Sequence, residues 1–222
     1  MSHLQLRAAD GHTFQAYLAR PGAGTPTRGG LVVVQEVFGV TGHIERVAEQ
    51  YAAQGYLAIA PALFDRQQRG VNLPYDDAGV KTGLEFAQKA DVDGLLSDLG
   101  AAMDAVSHAG AVGMVGYCWG GRVVYQAGSR TNAAAGVVYY GGTITQVLEP
   151  APRCPMQFHF GREDRHVPLA DVERIRAACP QGEFHLYDAG HGFNCTDRDS
   201  YDAAAAHEAF GRTLEFLARH LG

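Results

Sequence analysis

Along residues 3–6 and 14–18 apolar and polar positions alternate, and Asp10-Gly11 stands between them, a pattern that predicts an antiparallel hairpin. Residues 21–30 are rich in Gly, Pro and Thr and read as a loop. Leu31, Val32, Val33 and Val34 then run together without a polar residue, as in a strand covered on both faces. From 43 to 54 the period lengthens to that of a helix, with Ile44, Val47, Ala48, Tyr51 and Ala52 on one side and Gly55 placed to end it. Residues 56–60 make the next buried strand, stopped by Pro61. The stretch 62–83 is long, polar and turn-rich and predicts a loop. A helix follows, with Val92, Leu95, Leu96, Leu99, Met103 and Val106 on one face. Further strands are predicted at 112–115, 135–140, 156–160 and 183–187, and helices at 120–129, 169–178 and 203–221. Strands alternating with helices predict an α/β fold, with a mostly parallel sheet covered on both faces and an N-terminal antiparallel hairpin. Neither a repeat nor a linker interrupts the pattern, so residues 1–222 are expected to form one domain.

Composition narrows the function classes. The net charge of −6 argues against a nucleic-acid role resting on phosphate neutralisation. No apolar run approaches the roughly 18 residues of a membrane span, and the start lacks the charged and apolar regions of a signal peptide. Cys118, Cys154, Cys179 and Cys195 show no C-x-x-C spacing and no disulfide framework. A cytoplasmic protein that binds neither nucleic acid nor membrane is expected, as a monomer or small homo-oligomer.

The candidate chemistry lies at the ends of the predicted strands. Gly116-Tyr117-Cys118-Trp119-Gly120-Gly121 is a Gly-x-Cys-x-Gly elbow between a strand and a helix. A nucleophile on such a turn sits close to both flanking backbones, so the residues two before and two after it must lack bulk. Asp164 and His191 follow two later strands, and the chain order is nucleophile, acid, base. An imidazole can take the thiol proton, and an aspartate can fix the imidazole's tautomer. The Trp119 N–H at the helix start and the Val37 N–H after the first buried strand are the expected oxyanion donors. Each residue also has a plainer reading. Asp164 can cap the helix near Leu169 or pair with Arg162 or Arg165, His191 can be a turn residue, and Cys118 can be a small core side chain. His159, Asp164, His166 and His191 are too scattered to suggest a metal, so neither metal nor cofactor is expected.

With these residues in view, the sequence resembles the dienelactone hydrolase family of α/β-hydrolases over nearly its whole length. The resemblance rests on Gln35-Glu36-Val37-Phe38-Gly39, Pro61-Ala62-Leu63-Phe64, the Cys118 elbow, Tyr139-Tyr140-Gly141, Gly161-Arg162-Glu163-Asp164 and Gly190-His191-Gly192-Phe193. It implies an α/β-hydrolase fold, with Cys118, Asp164 and His191 as catalytic residues and Glu36 as a carboxylate acting on the thiol. It further implies a small lactone or ester substrate, in the family's case an anionic one held by arginines, with Arg66 and Arg198 at the matching positions. The spacing from His191 to Arg198 is longer than in the best-known members. Phe38, Trp119 and Phe193 follow catalytic positions and are expected to line an apolar pocket or to pack in the core.

The expected reaction is cysteine-dependent hydrolysis of a lactone or small ester through an acyl-enzyme. The rivals are a broader carboxylesterase or thioesterase on the same triad, and a non-catalytic ligand-binding or electrophile-sensing protein on a hydrolase scaffold.

Overall fold

The computed structural model describes residues 2–222. Two antiparallel strands, β1 (Ser2–Arg7) and β2 (Thr13–Ala19), open the chain. Their turn is closed by the Asp10 carboxylate, which accepts from the His12 N–H at 3.0 Å. β3 (Gly29–Val34), α1 (Gly42–Ala53) and β4 (Tyr56–Pro61) follow, then α2 (Asp77–Lys89) and α3 (Val92–Val106). In the second half strands and helices alternate except that β7 follows β6 without an α-helix between them: β5 (Val112–Tyr117), α4 (Trp119–Gly128), β6 (Ala135–Tyr139), β7 (Met156–Gly161), α5 (Leu169–Ala178), β8 (Glu183–Tyr187) and α6 (Ala203–Leu221).

The eight strands form one sheet in the order β1-β2-β4-β3-β5-β6-β7-β8, parallel from β4 through β8. The continuous apolar strands are covered on both sides, as their sequence requires. Leu31 and Val33 face α1 and α6, packing with Ile44, Tyr51, Ala209 and Phe216. Val32 and Val34 point the other way, into a core built with α3, α4 and α5 through Leu99, Met103, Val123 and Val172.

This topology fixes where a site can form. The chain leaves β3 for β4 on one side and later returns to place β5 on the other. The carboxyl ends of β3 and β5 therefore diverge at a switch point, the usual crevice for ligands in open α/β sheets. The register pairs Val34 with Gly116, which sets the residues just beyond each strand, Glu36 and Cys118, at the same end of the sheet.

One expectation fails. The segment 62–83 is not a continuous loop. It opens with a 3₁₀ turn over Leu63–Arg66 and ends inside α2, whose first turn is capped by Asp76 accepting from the Gly79 N–H at 2.8 Å. Two glycines disguise this helix in the sequence, since glycine is a poor helix former. Gly83 is there for contact: a Cβ at this position would lie 2.2 Å from the Val37 carbonyl oxygen. The helix thus packs directly on the turn that follows β3.

Candidate active site

Cys118 caps α4 at φ 54° and ψ −118°, a conformation that non-glycine residues adopt only under strain. Its backbone is held from both sides, the N–H donating to the Tyr139 carbonyl and the carbonyl accepting from the Gly121 N–H, each at 3.0 Å. The turn closes so tightly that a Cβ on Gly116 would meet the Gly120 carbonyl oxygen at 2.1 Å. The spacing of glycines around the cysteine is therefore a packing requirement, and the elbow presents the sulfur at the positive end of α4.

His191 brings Nε2 to 3.3 Å from the Cys118 sulfur and Nδ1 to 2.8 Å from Asp164 Oδ2. The other Asp164 oxygen accepts from the His166 and Val167 N–H groups at 2.7 and 3.1 Å. That leaves no role for the pairing with Arg162, which reaches Asp188 instead. Burial works against the Asp164 charge, yet the bond from His191 and the two amides outweigh it and hold the carboxyl below its ordinary value. Burial likewise pulls the His191 imidazole down, but the Cys118 sulfur and Asp164 prevail and raise it to about 10. The structure thus brings Cys118, His191 and Asp164 into one hydrogen-bonded chain.

A cavity of about 320 Å³ opens on this chain. Phe38, Trp119, Arg198 and Val37 line it, while Val80 and Leu84 of α2 form a wall, Val80 lying within the stretch 62–83 expected as a loop. The Arg198 guanidinium lies over the Phe38 ring at 5.6 Å from its centre. Arg122 also lines the cavity and was not foreseen. Its position carried the signal: it lies four residues after Cys118, one helical turn along the same face of α4. Its hydrogen bonds go to the neutral Thr143 Oγ1 and Gln146 Oε1, both at 3.2 Å. Burial holds the Arg122 guanidinium below its ordinary value. Among the described residues neither Arg122 nor Arg198 has a carboxylate within salt-bridge distance, and no Asp or Glu lines the cavity.

Two expected binding residues lie elsewhere. Arg66 does not reach the cavity: its guanidinium forks onto Asp98 at 2.7 and 2.8 Å and bonds to Asp10 at 2.7 Å. It ties the hairpin turn to α3 by neutralising a carboxylate whose side chain is fully buried. Removing one partner of such a pair strands the other charge. Arg66→Ala is accordingly expected to destabilise the fold by about 3 kcal/mol in urea unfolding and to leave KM for an anionic substrate unchanged. Phe193 does not line the cavity and takes the other of its two expected places, in the core. The chain turns back after His191 and buries this ring among Tyr139, Tyr140 and Tyr187, away from the cavity lining.

Glu36 is fully buried and makes no hydrogen bond to Cys118. Burial pushes its carboxyl up, and the charges of Arg198 and His191 pull it back. The Tyr75 and Tyr140 hydroxyls stand close to it without a formed hydrogen bond. Of the four residues weighed for a metal, Asp164, His166 and His191 lie together and His159 lies apart. His159 is enclosed in a separate network with Tyr187, Gln157 and Thr213.

Comparison with known proteins identifies the family and the fold. The sequence model of the dienelactone hydrolase family matches residues 14–221. A carboxymethylenebutenolidase of Pseudomonas putida is 34% identical over 227 residues, covering 97% of this chain and 95% of that one. A Klebsiella pneumoniae crystal structure provisionally named dienelactone hydrolase superposes with a TM-score of 0.83 at 27% identity, covering 99% of this chain and all of that one. A dienelactone hydrolase-like promiscuous phosphotriesterase from metagenomic libraries shares the fold, with a TM-score of 0.78 at 18% identity over 100% of this chain and 99% of that one. No helix among the described residues is long and apolar enough to cross a membrane.

Proposed function

Since the chain belongs to the dienelactone hydrolase family and is therefore a hydrolase of ester or lactone bonds, we propose that it opens a small anionic lactone of the carboxymethylenebutenolide type with Cys118 as nucleophile. The observation that carries this reading is the chain Asp164–His191–Cys118, at 2.8 and 3.3 Å, ending in a cavity that holds two unpaired arginines.

In the proposed reaction His191 Nε2 takes the thiol proton and the sulfur attacks the carbonyl carbon. The Val37 and Trp119 amides receive the oxyanion, and Trp119 stands at the first turn of α4, where amides lack helical partners. The ring C–O bond then breaks, and the proton on His191 passes to the departing oxygen, which stays tethered to the acyl group. Water, deprotonated by His191, attacks the thioester; the C–S bond breaks and the thiol is restored. Asp164 keeps the imidazole oriented throughout. Glu36, when ionised, disfavours the free thiolate by repulsion and so tempers Cys118 when no substrate is present.

Arg122 and Arg198 supply the counter-charge for a substrate carboxylate. The test compares kcat/KM for a carboxylated dienelactone, its methyl ester, saturated lactones and nitrophenyl esters. The carboxylated dienelactone should be preferred, and Arg122→Gln should cost that substrate roughly tenfold or more, as for a lost charge-assisted hydrogen bond. The methyl ester should lose little. Equal kcat/KM across all classes would overturn the assignment and leave a general carboxylesterase or thioesterase.

A further inference from the structure

We propose that Glu36, His43 and Cys195 form a binding site for a thiophilic divalent cation of the zinc class. The three come from distant parts of the chain: the turn after β3, the first turn of α1, and the loop between β8 and α6. Their residues are 0%, 2% and 0% exposed, and their ligand atoms all lie within 4.8 Å of one another.

Both Glu36 oxygens and His43 Nε2 are buried without a hydrogen-bond partner. Buried polar atoms in folded chains are nearly always partnered, so two residues that bring orphan atoms to one thiol need an explanation. Packing accounts for the rings but not for these atoms. The His43 imidazole lies edge-on to Tyr75 and Tyr117, which fixes its plane and leaves Nε2 unanswered. The Cys195 backbone is pinned by its N–H donating to the Gly192 carbonyl at 2.8 Å.

The donor set selects the ion. One thiolate, one imidazole nitrogen and one carboxylate oxygen suit zinc and its relatives; calcium and magnesium prefer all-oxygen shells. Zinc bonds of about 2.0–2.3 Å place tetrahedral ligand atoms roughly 3.3–3.8 Å apart, so the cluster needs to contract by about 1 Å. On binding, the Cys195 thiol proton leaves to solvent, and thiolate plus carboxylate balance the cation's two charges. A groove lined by His43, Arg46, Asn194 and Thr196 leads to the imidazole from the surface. The positive charge of Arg46 in this groove is paired with Asp197. Arg198 acts against a cation through its field at Glu36, which the two anionic ligands must outweigh.

The sequence hides such a site because no two ligands share a local spacing motif. It is distinct from the cavity on Cys118, although it shares Glu36 with the proposed active site, so an occupying ion would fix the carboxylate whose charge reaches His191.

The experiment uses the full chain carrying Cys118→Ala, which removes the thiol hydrogen-bonded to His191 at the cavity as a competing site. Titration with Co²⁺ should give one ion per chain with a thiolate-to-metal charge-transfer band, displaced by Zn²⁺. Adding Cys195→Ser should abolish the band. Adding His43→Gln should weaken binding at least tenfold. Circular dichroism would confirm that both variants are folded. The proposal is overturned if no charge-transfer band appears, which includes uptake by surface histidines alone. It is also overturned if the band survives Cys195→Ser, which would move the ion to Cys154 or Cys179.

Discussion

Replacing Cys118 with alanine is expected to lower kcat/KM by at least roughly 10⁴-fold while leaving the fold intact. The loss is large because the sulfur lines the cavity at 3.3 Å from the imidazole that would take its proton. The fold survives because alanine pays the same conformational cost at φ 54° as cysteine, and the backbone bonds to Tyr139 and Gly121 remain. An activated ester should give a stoichiometric burst with the wild type and none with the variant. If the variant keeps the burst, nucleophilic catalysis by Cys118 is wrong. If neither protein shows turnover, the scaffold is a binding protein after all.

A second large effect is expected two residues further on. Gly120→Ala would drive a Cβ to 2.5 Å from the carbonyl oxygens of both Val34 and Gln35. These are backbone atoms at the end of β3, so no side-chain rotation relieves the overlap. Either α4 tilts away from the sheet or the strand end moves, and the Cys118–His191 distance is lost in both cases. Overpacking against side chains commonly costs about 1–3 kcal/mol, and a clash with rigid backbone should exceed that. We expect Gly120→Ala to lower the urea midpoint by the equivalent of at least ~3 kcal/mol and to abolish activity in whatever remains folded. Gly142 supplies the control. It lines the same cavity but has nothing within 4 Å of a would-be Cβ. Gly142→Ala should therefore change stability by no more than about 0.5 kcal/mol. Equal effects at the two positions would refute the packing account of the elbow.

The contrast between Arg66 and Arg122 shows what the sequence could and could not yield. Strands such as Leu31–Val34 declared themselves because burial on both faces leaves no polar residue in the run. Cys118, Asp164 and His191 followed from their places at strand ends, since a parallel sheet delivers those ends to one edge. Arg66 also sits just past a strand end, but Asp98 and Asp10, 32 and 56 residues away, claim its guanidinium. Such pairings depend on tertiary distance and leave no local trace. Arg122 did leave one, its spacing from Cys118, but only a helix beginning at Trp119 gives that spacing meaning. α2 was missed for a different reason: Gly79 and Gly83 weaken its intrinsic propensity, and close approach to neighbouring backbone, invisible in one dimension, explains them. Phe193 followed a histidine at a strand end as a pocket residue would, yet three tyrosine rings offered it more burial than the cavity could.

The absence of acidic residues from the cavity bears on how a turnover would end. Opening a lactone creates a carboxylate that the ring did not have, so an anionic substrate leaves as a dianion. Two guanidiniums with no carboxylate within salt-bridge distance among the described residues, Arg122 and Arg198, attract that product more strongly than they attracted the substrate. The field that draws the substrate in would then resist the product's departure, making release slow at low ionic strength and faster as salt screens it.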